Sequence, residues 1–122
     1  MQEPVAYPDW QCPDGKFDGQ AVETERLIVS RHDLPATNAC RARTLFVANW
    51  KDRDQPEVIA HITYDWGINC IDWLEVNDRF RRQGIATEFK KAVAQMVGFE
   101  PDSYAATEAG RMFLKSYFAD LI

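Results

Sequence analysis

Three arginines stand close together past the middle of the chain, just before a glycine. They are Arg79, Arg81 and Arg82, and the glycine is Gly84. Guanidinium groups bind phosphate oxygens through charge-assisted hydrogen bonds, and a glycine lets a ligand approach the backbone because it has no Cβ. If a helix begins here, its first N–H groups and its dipole also favour an anion. These residues indicate a phosphate or pyrophosphate cradle, and the alternative is a surface turn with solvated arginines.

The sequence on either side predicts a strand and a helix that would position this turn. Residues 71–76 are a short, β-prone apolar run, which predicts a mostly buried strand. From Gly84 onward, apolar residues recur at helical spacing, and Gly98 stands where a C-terminal cap would lie. The predicted unit is therefore a strand, a polar and basic turn over 77–83, and a helix.

Two segments resemble sequence patterns of the GNAT superfamily of acetyl-CoA-dependent N-acyltransferases. The signature R/Q-x-x-G-x-G/A is matched by RRQGIA at 81–86, and the lead-in L-x-V-x-p-x-[YF]-R is similar to LEVNDRFR at 74–81. The sequence TERLIVSR at 24–31 resembles the first strand common in the same superfamily. The resemblance implies a GNAT-like fold and a site for a coenzyme A thioester.

The resemblance also implies which residues bind acetyl-CoA, the expected co-substrate. At the turn they are Arg81, Arg82, Gln83, Gly84, Ile85, Ala86 and Thr87. In the strand before the turn, the family uses a backbone N–H, usually at a β-bulge, to stabilise the oxyanion. By position that donor is the N–H of Leu74, and Val76 is expected to bind the pantetheine arm through its main chain.

Acetyl transfer to an amine needs a base that takes the amine proton. A carboxylate on this strand commonly acts as the base in the superfamily, and the catalytic candidates here are Glu75 and Asp72. Their positions differ in parity, so at most one of them faces the cleft unless a bulge intervenes. Burial beside an apolar run would raise the pKa of such a carboxyl group, which suits a base. The alternative is that one of the two simply faces solvent.

The acid that protonates the leaving thiolate is where the sequence departs from the family. The usual pattern on the last helix, N-x-x-A-x-x-[LF]-Y, ends in a tyrosine, and Leu114 stands at that place here. Tyr117 lies about one helical turn further along and is the candidate acid. The alternative is that Tyr117 is a core residue of this helix.

The fold class expected from these elements is α+β (α/β), in one domain over 25–122 that follows an irregular arm over 1–24. The resemblance implies a mixed, largely antiparallel sheet with flanking helices. It is the GNAT-like acyl-CoA N-acyltransferase fold without the last two strands, so that the domain is C-terminally truncated.

Residues rich in β-branched and aromatic side chains predict two more strands, at 43–50 and 57–66. The polar segment 51–56 is expected to join them as a hairpin loop. In the turn that follows, Gly67 is expected to supply a positive φ. These strands and the one before the basic turn are therefore predicted to pair as three consecutive antiparallel strands.

The last helix is predicted over 107–121, with Thr107 as its N-cap. Its apolar positions are expected to form one broad buried face made of Met112, Phe113, Leu114, Tyr117, Phe118 and Leu121. Between the predicted strands, residues 34–43 leave room for about one short helix. Residues 99–106 leave room for a few residues of strand, interrupted by Pro101.

Composition argues against several classes of protein. The net charge of −5 argues against general nucleic-acid binding, and no stretch approaches the ~20 apolar residues that span a bilayer. The start of the chain lacks the features of a signal peptide, so a cytoplasmic location is expected. Three widely spaced cysteines show neither a metal nor a disulfide pattern. His61 is expected to lie on a sheet face, and the alternative is a site residue.

Two functions are compatible with the sequence. The first is an acetyl-CoA-dependent N-acetyltransferase that acetylates an amine of a small molecule or a protein. The alternative is a catalytically degenerate GNAT-like domain that binds coenzyme A thioesters or acts through protein interaction. A homodimer is expected in either case, because a sheet without its closing strands exposes an unpaired edge. Neither nucleic acid nor a membrane is an expected partner.

Overall fold

The structure is a computed structural model and describes residues 18–34, 42–54, 57–103 and 108–119. These residues form six strands and two α-helices. The strands are β1 (Ala21–Glu23), β2 (Leu27–Leu34), β3 (Arg43–Trp50), β4 (Val58–Asp65), β5 (Cys70–Val76) and β6 (Asp102–Ser103). The helices are α1 (Ile85–Val97) and α2 (Glu108–Ala119), and a 3-10 turn spans Asp78–Phe80.

The six strands form one sheet in the order β1-β2-β3-β4-β5-β6. Each of the strands β1 to β4 runs antiparallel to the next strand. β6 runs parallel to β5 and pairs with it at Cys70 and Ile71. A parallel pair needs a crossover connection, and α1 lies in the crossover from β5 to β6. The α+β class and the mixed, largely antiparallel sheet are therefore confirmed.

Alternation along the strands directs one face of the sheet toward α1. Phe46, Ile62 and Tyr64 on this face are fully buried. Phe89 and Val93 of α1 are also fully buried and belong to the same apolar cluster. Burial of apolar surface contributes about 25 cal/mol per Å², and it holds α1 against β2, β4 and β5.

The helix predicted after Gly84 is confirmed as α1. It buries at least one apolar side chain in each turn, including Ile85 and Phe89. It ends at Gly98, where φ is 103° and the N–H donates to the carbonyl of Ala94 at 2.9 Å. A residue without Cβ adopts this left-handed conformation without strain, which is why glycine ends the helix.

The strands predicted from β-branched and aromatic residues are confirmed. β3 has the predicted bounds, and β4 is one residue shorter at each end than the predicted segment 57–66. β3 and β4 pair as the expected antiparallel hairpin. β5 begins at Cys70 and includes the whole predicted strand.

The prediction of an irregular arm over 1–24 is wrong at its end. Ala21–Glu23 forms β1 and pairs with β2, with Val22 opposite Val29. The N–H of Thr24 donates to the carbonyl of Leu27 at 2.8 Å and closes a tight turn between the two strands. Residues 24–26 therefore form the turn, and the strand that the resemblance implies over 24–31 begins at Leu27 as β2. Residues 1–17 lie outside the described part of the chain.

The turn between β4 and β5 differs from its prediction. Gly67 does not supply the positive φ; Asn69 does, with φ of 58°. The N–H of Gly67 instead donates to Oδ1 of Asp65 at 2.8 Å. An aspartate that accepts a hydrogen bond two residues on forms this kind of turn by itself, and asparagine tolerates the left-handed region.

The broad buried face predicted for the last helix is wrong. Among the described residues of α2, Tyr117 alone is buried. Met112 is 66% exposed, and Phe113, Leu114 and Phe118 are half-buried. Within the described residues, α2 contacts the rest of the domain through Tyr117 and Phe118, which lie over Lys90, so its other apolar side chains remain partly exposed.

Several expectations lie outside the described residues. They are the short helix within 35–41, the part of the predicted strand over 104–106, the N-cap at Thr107, and Leu121. Within the described ranges, neither helix is long and apolar enough to cross a membrane.

Candidate functional site

The turn from β5 to α1 is built from backbone conformations that few residues adopt. Oδ1 of Asn77 accepts the N–H of Arg79 at 3.0 Å and starts the 3-10 turn. Arg82 and Gly84 then have φ of 64° and 78°. A positive φ is uncommon for residues other than glycine. Gly84 occupies the N-cap of α1 in this conformation, so any side chain placed there would be strained.

The first turn of α1 retains its capacity to bind an anion. No side chain caps the N-terminus of α1. The first hydrogen bond within the helix runs from the N–H of Glu88 to the carbonyl of Gly84, at 3.1 Å. The N–H groups of Ile85, Ala86 and Thr87 precede it and have no acceptor within the helix. Together with the positive end of the helix dipole they can bind phosphate oxygens. This is the cradle that the sequence suggests.

The arginines of the turn are not equally available for a ligand. Arg81 donates through Nε to the carbonyl of Val76 at 2.9 Å and pairs with Asp78 at 2.9 Å. Arg79 pairs with Glu57 at 3.1 Å. Arg82 is exposed, and no ion pair to it occurs in the ranges that the structure describes. Arg82 is therefore the guanidinium of the turn that can meet an anion without losing a partner.

A further arginine, which sequence reasoning missed, approaches the cradle from the β1–β2 turn. A Cβ added to Gly84 would lie 3.6 Å from a terminal nitrogen of Arg26. Nε of Arg26 is 2.7 Å from Oε1 of Glu88 on α1. The segment TERL brings this residue to the site, and its distance in sequence gives no signal of that contact.

Glu88 holds the β1–β2 turn against the start of α1. Its Oε2 accepts hydrogen bonds from the hydroxyl of Thr24 and from the N–H of Arg26, the latter at 2.9 Å. Burial tends to raise the pKa of Glu88, but the hydrogen bonds from Thr24 and Arg26 outweigh it, so the pKa is lowered. The ionised carboxylate is therefore stabilised beside the cradle and offsets part of its positive potential.

At Leu74 and Val76 of β5, the main-chain groups face away from β4. The resemblance assigns these two positions to acetyl-CoA. The N–H of Asn77 donates to the carbonyl of Ile59 on β4 at 2.8 Å. Hydrogen-bonding direction alternates along an antiparallel strand, so Glu75 also faces β4 with its main chain, whereas Leu74 and Val76 face the opposite edge. Among the described residues, β6 occupies that edge at Cys70 and Ile71 and not further along β5.

β5 contains a bulge, but it lies at Asp72 and not at Leu74, where the resemblance implies it. Thr63 pairs with Trp73 and Tyr64 with Ile71, so Asp72 is the extra residue of β5. Oδ2 of Asp72 lies 3.1 Å from Nε of Arg43 on β3. Asp72 is therefore engaged in an ion pair away from the end of β5 where Glu75 lies.

A pocket of about 420 Å³ lies where β4 begins and β5 ends. It is lined by Val58, Ile59, Ala60, His61, Glu75, Val76, Asn77, Asp78 and Arg81. His61 and Glu75 are directly opposite each other in the register, so their side chains share one face about 5 Å apart at Cβ. The site residues that the structure brings together here are Glu75, Val76 and Arg81. His61 also lines the pocket, from the sheet face on which the sequence predicts it.

Tyr117 and Asp72 are not among the residues that line this pocket. Tyr117 is 3% exposed, and Nζ of Lys90 lies 4.3 Å from its ring centroid. Burial, a hydrogen bond with Glu100 and the Glu100 charge raise the pKa of Tyr117 well above its ordinary value. The hydroxyl is therefore held as a neutral donor within a packed contact between α1 and α2.

Lys90 is a buried cation that sequence reasoning missed. Its side chain is fully buried on α1, 3.3 Å from Oε1 of Glu100, and Nζ also lies 4.6 Å from the ring of Phe118. Burial lowers the pKa of Lys90, and the Glu100 carboxylate only partly offsets this. Helical spacing gives a signal for it, because Lys90 lies two turns before the buried Val97 on the same side of α1 and the exposed Lys91 does not.

The described residues contain no group of histidine, cysteine, aspartate and glutamate side chains that could hold a metal ion. Comparison with protein-family models, with curated proteins and with solved structures gave no match. What the site can do must therefore be argued from its own geometry.

Proposed function

We propose that this protein is an acetyl-CoA-dependent N-acetyltransferase with a GNAT-like site, acting on an amine of a small molecule or a protein. One observation supports it above the others. The pocket that contains Glu75 is also lined by Val76, whose main-chain groups face the outer edge of β5, and by Arg81, three residues before the N-cap of α1. An acyl donor and an amine acceptor can thus meet at the end of β5.

In this proposal the cradle binds the pyrophosphate of acetyl-CoA. The N–H groups of Ile85, Ala86 and Thr87 donate to the phosphate oxygens. Gln83 and Gly84 line the path by which the phosphates reach these donors. Arg82 adds positive charge from the turn. Arg81, which is bonded to the carbonyl of Val76 and paired with Asp78, also contacts the ligand. The pantetheine arm then runs along the outer edge of β5 and bonds to the main chain of Val76.

The transfer itself follows from this placement. Glu75 accepts a proton from the ammonium or from the attacking amine, either directly or through His61. The amine nitrogen bonds to the thioester carbonyl carbon, and the N–H of Leu74 stabilises the oxyanion. The C–S bond then breaks and the amide forms, and the thiolate of coenzyme A takes up either the second proton that the nitrogen loses or a proton from water. Asp72, paired with Arg43, has no part in these steps.

A second candidate is supported by the position of Tyr117. The expected acid is packed against Lys90 and does not line the pocket. A domain that binds coenzyme A thioesters without transferring the acetyl group, or acts through another protein, would need no acid there. The two candidates share the cradle and differ in turnover.

Calorimetry with acetyl-CoA tests the cradle, which both candidates need. Gly84→Asp is expected to abolish binding, because it places a negative charge where the pyrophosphate approaches. Gly84→Asn is the matched control, since asparagine tolerates a positive φ about as well as aspartate but is neutral. Gly19→Asp controls for the cost of a side chain at positive φ elsewhere, because Gly19 has φ of 82° and open space around it.

Equal affinity of Gly84→Asp, Gly84→Asn and wild type for acetyl-CoA would remove the cradle from the proposal. A thiol-release assay with acetyl-CoA and a panel of amines, polyamines and lysine peptides then separates transfer from binding alone. The homodimer and the cytoplasmic location expected from the sequence belong to this same proposal.

A further inference from the structure

The pocket has one acidic side chain whose charge is not balanced. Asp78 is paired with Arg81 at 2.9 Å, so these two lining residues cancel each other. In the described part of the chain, no cation and no hydrogen-bond donor contacts the side chain of Glu75. The uncompensated charge of the pocket is therefore negative, and it favours a cationic ligand.

Trp73 lies on the same face of β5, two residues before Glu75. The register from Trp73 to Glu75 is regular, with Thr63 and His61 opposite them on β4, so both side chains project to the same side about 7 Å apart. Trp73 is 52% exposed. A tryptophan is usually more buried than this, and its free ring face can stack on an aromatic ring or attract an ammonium group.

The two features together describe a ligand with two parts. A primary ammonium placed against Glu75 satisfies the free carboxylate, and a flat apolar group reaches the ring of Trp73 along the strand. We infer that the acceptor is a small primary amine that carries an aromatic ring on a short alkyl linker. This inference rests on the proposed function, because it takes the pocket as the acceptor site.

Other amines and acids satisfy only part of this surface. An aliphatic monoamine pairs with Glu75 but leaves Trp73 in water. A polyamine can place its second ammonium over the ring of Trp73, but this cation–π contact leaves more of the ring in water than a stacked aromatic group does. An aromatic acid would stack on Trp73 but be repelled by Glu75.

Calorimetry without acetyl-CoA tests the inference with three probes: 2-phenylethylamine, butylamine and 3-phenylpropionate. Wild type is expected to bind 2-phenylethylamine about three- to tenfold more tightly than butylamine, the ratio that an aromatic contact produces. It is expected to give no heat with 3-phenylpropionate. Trp73→Ala is expected to reduce the ratio between the amines to about one, and Trp73→Phe to retain it, because phenylalanine keeps a ring.

Ile68→Ala is the matched control, since Ile68 is exposed to the same extent as Trp73 but lies in the β4–β5 turn. It is expected to leave the ratio unchanged. Equal binding of the two amines by wild type, an unchanged ratio in Trp73→Ala, or no binding of either amine at millimolar concentration would overturn the inference.

A separate titration with acetyl-CoA distinguishes this failure from failure of the proposed function. If acetyl-CoA binds and the two amines bind equally, the aromatic acceptor is wrong and the proposed function stands. If the aromatic preference is found and acetyl-CoA does not bind, the site recognises such amines for another purpose and the proposed function is wrong.

Discussion

Replacement of Lys90 tests whether a buried cation stabilises this fold or is merely tolerated by it. The side chain has no exposed surface and lies 3.3 Å from Glu100, which is 29% exposed. The rings of Tyr117 and Phe118 lie 4.3 and 4.6 Å from its Nζ. Because burial lowers the pKa of Lys90 in spite of Glu100, the folded protein disfavours the charge relative to water.

Two substitutions separate the charge of Lys90 from its volume. Lys90→Met keeps a long side chain under the two rings, removes the charge and leaves Glu100 in contact with water. We expect it to raise the free energy of unfolding by about 0–2 kcal/mol. Lys90→Ala leaves a cavity between α1 and α2 and is expected to destabilise by about 2–5 kcal/mol. The control Lys91→Ala, at the exposed neighbour, should stay within about 0.5 kcal/mol.

Urea denaturation with equal m-values for all variants is the assay. If Lys90→Met destabilises the protein as much as Lys90→Ala does, the cation itself is stabilising and the reasoning from burial is refuted. The pH dependence is a second check. The unfolded state binds more protons between the lowered pKa of Lys90 and its ordinary value of 10.5, so stability of the wild type should rise with pH in that window.

Lys90→Met should lack this rise. The comparison is made below about pH 10, because unfolded tyrosines ionise near there. Since the pKa of folded Tyr117 is raised, the stability that Tyr117 contributes is lost at higher pH, which opposes the effect of Lys90.

The remaining predictions concern the site and the assembly. Glu75→Gln should lower the acetylation rate at pH 7 by about 10²–10⁴-fold with unchanged acetyl-CoA affinity, and the loss of rate should shrink as pH rises. Asp72→Asn should leave the rate unchanged. A loss of rate in Asp72→Asn but not in Glu75→Gln would make Asp72 the base. Glu88→Gln should cost about 1.5–3 kcal/mol at pH 7 in thermal unfolding. Because the pKa of Glu88 lies below 4.5, the stability that the Glu88 carboxylate contributes is complete above that pH and is lost as pH falls through the lowered pKa. If wild type and Glu88→Gln lose stability equally as pH falls below 4.5, this prediction is contradicted. Light scattering should give twice the 14.0 kDa of one chain if a second copy covers an unpaired edge of the sheet, and the mass of one chain would exclude the dimer.

Local sequence determined the elements with the clearest periodicity. The strands β3 and β5 and the helix α1 were predictable because neighbouring residues decide them: alternation and β-branching for the strands, and apolar spacing closed by Gly98 for the helix. These features depend on contacts within a few positions along the chain. The left-handed conformation of Gly84 was not predicted, because the sequence indicated only that a glycine here lets a ligand approach the backbone.

The burial of α2 and the position of Tyr117 could not be predicted in this way. The apolar residues of α2 allow a broad buried face, but how much of that face is covered depends on where α1 and β6 leave space. Tertiary packing places Tyr117 over Lys90, which makes a candidate acid a packing residue and makes an ordinary lysine of α1 a buried cation.

The sequence by itself determined the turn of β5 into α1, with its glycine and its arginines, because those residues are adjacent in the chain. Only the tertiary structure decided which side chains join them. The register of β4 against β5 sets His61 opposite Glu75, the bulge takes Asp72 to Arg43, and Arg26 reaches α1 across 62 positions of sequence. A shift of one residue in that register would turn Glu75 to the other face of the sheet, which is why the site depends on strand pairing that no local pattern specifies.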